Sequence, residues 1–247
     1  MHGAWHDESC WSEVQRSLAA EHLLSSVPVH LPSTDPESSP GHPSGGPRGR
    51  PALPGFADDV AAVIQTLEAT PGPVTLCGHG YAGMVISEAG NHPRVNRLVY
   101  LSAYCPVQGQ RISDLLCALG PWGGAPPIRD SGDGRMWFSR RAAPRRLYGD
   151  LPVDVARRLA DRLLPSSSVI HDARATAPAW RNTVTTFVHG RRDRVMAVRR
   201  SLLTAQRVLQ SHLAAGRPET TTLTLAGGHC LFYSQPQRVA EILARGR

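Results

Sequence analysis

Apolar positions recur at two different periods along this chain, and the switching between them sets the expected architecture. Val14, Leu18, Ala19, Leu23 and Leu24 fall at helical spacing over 12–26, and Phe56, Val60, Val63, Ile64 and Leu67 do so over 56–69. Short apolar runs bounded by Gly or Pro read instead as buried strands: Pro73–Cys77, Arg97–Leu101 within 95–104, Val184–His189 and Thr220–Leu225, with a further short candidate at Val27–Leu31. Helical patterns follow at 81–92, 198–214 and 236–245. Strands alternating with helices predict an α/β fold around a mostly parallel sheet.

Two stretches interrupt that rhythm. Residues 32–55 are rich in Pro, Gly and Ser with no apolar period, the mark of a long surface loop. Residues 107–178 read as helical pieces, broken by Gly and Pro around 120–134. A block of that length between strands is expected to be a lid over a site, within a single domain spanning 1–247. No internal repeat is visible.

Composition narrows the function classes. The chain has 247 residues, enough to bury a full core, and no apolar run long enough to span a membrane. Met1-His2-Gly3-Ala4-Trp5 has neither the basic nor the apolar region of a secretory signal. The net charge of +7 comes from arginine alone, because the chain contains no lysine. The arginines sit in scattered pairs without interleaved aromatics, so a solvated surface is expected rather than a nucleic-acid partner. Cys10, Cys77, Cys105, Cys117 and Cys230 are odd in number and include no C-x-x-C pair. A reducing, cytoplasmic compartment and no metal site follow as expectations. No cofactor motif is read, and the oligomeric state is left open.

The chemistry concentrates at strand ends. Gly78-His79-Gly80-Tyr81-Ala82-Gly83 lies between a strand and a helix, the context of a nucleophile elbow. The position that would hold the nucleophile is Gly80, which has no Oγ and can form no acyl-enzyme. Asp193 follows one strand and His229 follows the last, in the chain order elbow, acid, histidine. His2-Gly3 at the start matches an oxyanion loop, with the backbone N–H groups of Ala4 and Tyr81 as the hole. Trp5, His79 and Trp122 are candidates for contact with substrate. Trp11, Tyr81, Trp137 and Phe138 are further aromatics that either line an apolar pocket or pack in the core. His79 reads more simply as structural, Cys77 as core, and the Cys230 side chain should point away from that of His229.

With these residues in place the sequence resembles the small α/β-hydrolases that include plant methylesterases, hydroxynitrile lyases and bacterial EstC-type esterases. The matching stretches are 2–6, 74–84, 97–110, 148–152, 187–196 and 227–243. The resemblance implies an α/β-hydrolase fold and a small-molecule substrate. It also implies a strand before His2-Gly3, beside the elbow strand, which is missing from the chain as given; a start codon placed too far downstream is the simplest account. Three readings stand at this level. One is an enzyme that uses His229 and Asp193 for general acid/base chemistry without a serine, as a non-classical hydrolase, lyase or cyclase. Another is a non-catalytic pseudo-hydrolase that binds a ligand or a protein. The third is a truncated or decayed esterase.

Overall fold

The computed structural model describes residues 1–34, 53–114, 127–196, 198–216 and 219–245. A four-stranded sheet forms its centre, built from β1 (Val74–Gly80), β2 (Val95–Ala103), β6 (Val184–Gly190) and β7 (Thr220–Leu225) in that spatial order. Every pairing is parallel, in registers such as Leu76↔Leu98, Tyr100↔Phe187 and Val188↔Leu223. Parallel strands need crossovers, which the helices supply on the two faces.

Alternation along β2 shows how the core divides. Leu98 and Tyr100 join one cluster, with Val63 and Leu67 of α2 (Phe56–Ala69), Met84 and Ile86 of α3 (Ala82–Ala89), and Phe187. Val99 and Leu101 point the other way, toward Val14 and Leu18 of α1 (Ser12–His22) and the last helix (Pro236–Ala244). A strand covered on both faces is apolar at successive positions, which is why β2 reads as an unbroken run. Each large side chain removed from water here contributes about 1.5–3 kcal/mol.

Helix α2 has the expected bounds, and its first turn is closed by Gly55 N–H donating to Asp58 Oδ2 at 2.7 Å. Helix α1 stops earlier than its apolar period implied. Leu23 takes a left-handed conformation (φ 54°), Leu24 N–H turns back to Leu18 O, and Leu23 is left 87% exposed, so it never belonged to the buried face.

Two expectations fail. Val27–Leu31 forms no strand, because no strand among the described residues lies beside it to pair its backbone. The block 107–178 is not simply helical. It holds an antiparallel sheet of β3 (Ile128–Asp130), β4 (Arg135–Phe138) and β5 (Ser166–Ser167), together with two short helices, α4 (Ala143–Arg146) and α5 (Val153–Asp161). The missed signal is a period of two in β4, where Met136 and Phe138 are buried and Trp137 faces out. The chain closes with α6 (Val198–Ala214), α7 (Leu231–Ser234) and α8 (Pro236–Ala244).

One buried carboxyl ties α2 to the turn after β1. Asp59 accepts from Ser33 N–H at 2.9 Å and from the Tyr81 hydroxyl at 2.6 Å. Burial raises its pKa from the ordinary 3.8 to about 6. The folded chain therefore keeps a proton that the unfolded chain releases. The contribution of Asp59 to stability is present below about pH 4 and is lost as the pH rises through about 6. Asp59→Asn does not titrate. Urea unfolding should show the stability of the parent relative to this variant falling by roughly 2–3 kcal/mol between pH 4 and pH 7.

Candidate active site

The turns that follow β1, β6 and β7 meet at the carboxyl end of the sheet. Gly80 ends β1 with φ at 53°, a left-handed conformation that glycine adopts without penalty and a side chain tolerates only under strain. A Cβ built there would lie 3.8 Å from Gly3 Cα and 3.9 Å from His229 Nε2, ordinary contact distances. The imidazole of His229 therefore faces Gly80 across an open gap.

Asp193 sits just beyond β6, its N–H donating to Gly190 O at 3.0 Å. Its Oδ1 accepts from the N–H groups of Val195 and Met196 at 2.8 and 2.9 Å, which fixes the carboxylate plane. Its Oδ2 accepts from His229 Nδ1–H at 2.9 Å, with both side chains about 95% buried. That bond fixes the tautomer, leaving Nε2 as the free lone pair toward Gly80.

The loop carrying His229 is anchored by a residue that sequence reasoning passed over. Gly228 N–H donates to Asp150 Oδ2 at 2.6 Å. A Cβ on Gly228 would stand 2.5 Å from Asp150 Oδ1, so only glycine allows this approach. Arg192 N–H donates to Gly227 O at 2.8 Å and cross-ties the acid loop to the histidine loop. No local pattern around Gly149-Asp150-Leu151 reveals a partner 78 residues away.

His79, His6 and His2 cluster at the elbow and the His2-Gly3 loop, all with pKa values held down chiefly by burial. His79, with rings 4.5 Å from His229, lies well below the ordinary value, and the neighbouring His229 and His6 add to that. His6 falls to about 4 and His2 to about 3. His6 Nδ1–H donates to Ala4 O, and its Nε2 accepts from the Tyr148 hydroxyl at 2.9 Å. His79 donates through Nε2–H to His229 O at 3.3 Å, while its buried Nδ1 has no partner among the described residues. That nitrogen is 2.8 Å from where a Cβ on Gly3 would stand, so the His2-Gly3 loop lies directly on His79.

The backbone N–H groups of Ala4 and Tyr81 take part in no hydrogen bond among the described residues. Both residues border a cavity of about 40 Å³ beside Gly80 and His229, room for about one water. Trp5 borders it too, in a left-handed conformation (φ 67°) and edge-on to Phe138 at 5.1 Å. The remaining aromatics separate cleanly. Trp11 packs on Phe232, Phe138 lies behind Trp5, Trp137 is 37% exposed, and Trp122 falls outside the described residues, as does Cys117. Cys230 is buried with its Sγ 3.9 Å from His6 Nε2, and burial pushes its thiol pKa well up. Cys10, Cys77 and Cys105 are also unpaired. His2, Glu8 and His30 bring ligand-type atoms together. His2 Nε2 already accepts from Leu31 N–H at 3.0 Å, and the His30 Nδ1 pairs with Glu8 at 3.1 Å, so hydrogen bonds account for the grouping. No helix among the described residues is long and apolar enough to cross a membrane.

Comparison with known proteins bears on the fold and the family. An esterase from Nocardioides sp. (strain SG-4G), named for hydrolysing carbendazim, is 32% identical over 118 residues; the match covers 47% of this chain and 45% of that one, so less than half of that relative is spanned. Among solved structures, polyneuridine aldehyde esterase superposes with a TM-score of 0.75 at 16% identity, covering 98% of this chain and 95% of the other. A pyrethroid hydrolase from Sphingobium faniae JZ-2 gives 0.69 at 20% identity, over 98% and 93%. At such identities these structures show a shared fold. The model of the alpha/beta hydrolase family matches residues 1–242, and the chain belongs to that family.

Proposed function

We propose that this protein is an enzyme in which His229 and Asp193 carry out general acid/base chemistry on a small, partly apolar molecule, without a serine nucleophile. The observation that carries the reading is the 2.9 Å bond from His229 Nδ1–H to Asp193 Oδ2, which leaves Nε2 facing the gap at Gly80. In that gap Nε2 takes a proton from a water or from the substrate itself. Asp193 holds the tautomer and stabilises the imidazolium that results. Negative charge developing on a substrate oxygen is received by the N–H groups of Ala4 and Tyr81, the latter at the start of α3. His189, the other imidazole that feels the Asp193 charge, is held down to about 4 by burial, and His79, His6 and His2 are likewise held neutral, so no second imidazolium competes for Asp193.

Residues 107–178 act as the lid in this proposal. Ile112, Leu147, Ile170 and His171 from that stretch border the small cavity, and they give the substrate its apolar surroundings. Family membership and relatives named as esterases support hydrolase-type chemistry. A protein that only binds would place no demand on the Asp193–His229 pair or on the Asp150 anchor behind it.

Restoring the hydroxyl is the direct test. Gly80→Ser adds an Oγ about 1.4 Å beyond a Cβ that already has room, within reach of a hydrogen bond of about 2.6–3.2 Å to Nε2. The positive φ costs roughly 1–3 kcal/mol, seen as a lower Tm. Hydrolysis of p-nitrophenyl acetate should rise about 10²-fold or more over the parent. The gain should vanish when His229→Ala is added, and a fluorophosphonate probe should label the variant at position 80 and leave the parent unlabelled. A folded Gly80→Ser protein with no gain would rule out a working dyad and hole.

The anchor has its own signature. In the Gly80→Ser background, Asp150→Ala should lower kcat about tenfold or more with KM within about twofold, because it loosens His229 and leaves the pocket walls in place. Asp150→Asn keeps an acceptor for Gly228 N–H and should restore most of the loss. Steady-state kinetics of the pair, with equal Tm values, separates positioning from general destabilisation.

A further inference from the structure

The polar side chains that border the small cavity beside Gly80 and His229 divide into those already engaged and those left over. His6 uses both ring nitrogens, on Ala4 O and on the Tyr148 hydroxyl, and the Tyr81 hydroxyl is given to Asp59. His79 gives its Nε2–H to His229 O, and its Nδ1 lies against Gly3. The Trp5 indole N–H, the Tyr104 hydroxyl and the His171 ring take no hydrogen bond among the described residues. Together with the N–H groups of Ala4 and Tyr81, they give the cavity more donors than one oxygen atom can satisfy.

Trp5 stands out among these groups. Its Nε1 is buried without a partner, which leaves a desolvated donor unsatisfied. Its backbone is left-handed (φ 67°) although it is not glycine. The lid holds that conformation: Trp5 N–H donates to Ser166 Oγ at 3.1 Å, and Leu164 N–H donates to Trp5 O at 3.0 Å. Trp11 supplies the contrast. Its Nε1 is also buried and unpartnered, but its backbone is right-handed and its ring packs on Phe232, away from the small cavity. At Trp5 alone, an unsatisfied indole and a strained backbone coincide on a wall shared with His229.

The chemistry of a fitting ligand follows from this donor set. Ala4 and Trp5 are consecutive residues, so the backbone hole for one oxygen and the indole N–H for a second belong to one loop. A ligand with a single oxygen in the hole leaves the indole unsatisfied. A neutral imidazole is also a modest base, and it takes a proton from carbon only where the resulting charge is widely delocalised. A carbon between two carbonyl groups meets both conditions, because its enolate spreads the charge over two oxygens. The small cavity restricts the substituents to short ones.

Resting on the general-base reading above, we infer that the substrate is a small 1,3-dicarbonyl compound and that the Trp5 indole N–H is its specificity-determining contact. One carbonyl oxygen lies in the hole of Ala4 and Tyr81, and the other accepts from Trp5 Nε1–H. His229 Nε2 takes the proton from the carbon between them. The C–H bond breaks, its electron pair spreads over both oxygens, and the imidazolium that forms stays paired with Asp193.

The probe is 2,4-pentanedione, with 2-pentanone as the matched ligand that lacks one oxygen. NMR titration of the full chain should give a Kd about tenfold lower for the dione, the worth of one added hydrogen bond. The Trp5 indole N–H resonance should move downfield with the dione and stay in place with the monoketone. Trp5→Phe keeps an aromatic wall and removes the donor, so it should bring the two affinities within about twofold of each other. The ultraviolet band of the dione enolate should appear with the parent and vanish with His229→Ala, which should keep the preference for the dione. A preference and an indole shift without the enolate band would uphold the Trp5 contact and overturn the general-base reading on which the proton step rests. An unmoved indole resonance, or equal affinity of the parent for both ligands, would overturn the Trp5 contact whatever the state of His229. If Trp5→Phe does not fold, the indole shift of the parent decides by itself.

Discussion

The parallel backbone ladder joining β1, β2, β6 and β7 supports everything else in this molecule. Because all four strands run the same way, the chain leaves each at the same end of the sheet. Gly80, Asp193 and His229 lie far apart in sequence, and each follows or ends one of those strands. The site is therefore a property of strand direction first and of side chains second. Its fine placement comes from backbone contacts between neighbouring exits, where Arg192 N–H meets Gly227 O and Gly228 N–H meets Asp150.

Burial then sorts the histidines. His2, His6, His79 and His229 lie close together at that end, and a protonated imidazole is costly in such a place without a partner. His2, His6 and His79 have backbone or hydroxyl partners that suit the neutral ring, and their pKa values are held low. Of these four rings, His229 is the one that hydrogen-bonds a carboxylate. In the proposed function, that bond is what singles out one base from a cluster of chemically identical side chains. The same low-dielectric setting strengthens the pull of Asp193 and of the free N–H groups at Ala4 and Tyr81.

The two long edges of the sheet differ in character. Toward β6 and β7 the turns that carry Asp193 and His229 are cross-tied by Arg192 N–H on Gly227 O. Along the outer side of β1, Met1 exchanges backbone hydrogen bonds with Cys77 and His79, and a cavity borders Val74 to Cys77. The elbow turn thus hangs from a strand paired with β2 on one side and with Met1 on the other. Asp59, reaching from α2 to Tyr81, adds a tie to the turn where neighbouring backbone does not.

Local sequence determined the elements whose burial is periodic. The bounds of α2, the unbroken apolar run of β2, the strands at 184–190 and 220–225, and the order of Gly80, Asp193 and His229 were legible because each depends on neighbours a few residues away. The hairpin of β3 and β4 was equally local but was obscured by the Gly- and Pro-rich stretch before it. Tertiary structure alone decided the rest. Val27–Leu31 has strand composition and forms no strand, since a strand exists only through a partner. Trp5 and Trp11 are alike in sequence, yet one borders the small cavity and the other packs on Phe232. Asp150 became an anchor because folding carried it to Gly228. Periodicity records which face of an element is buried; it holds no record of which distant residue that face will meet, and that is settled when the layers pack.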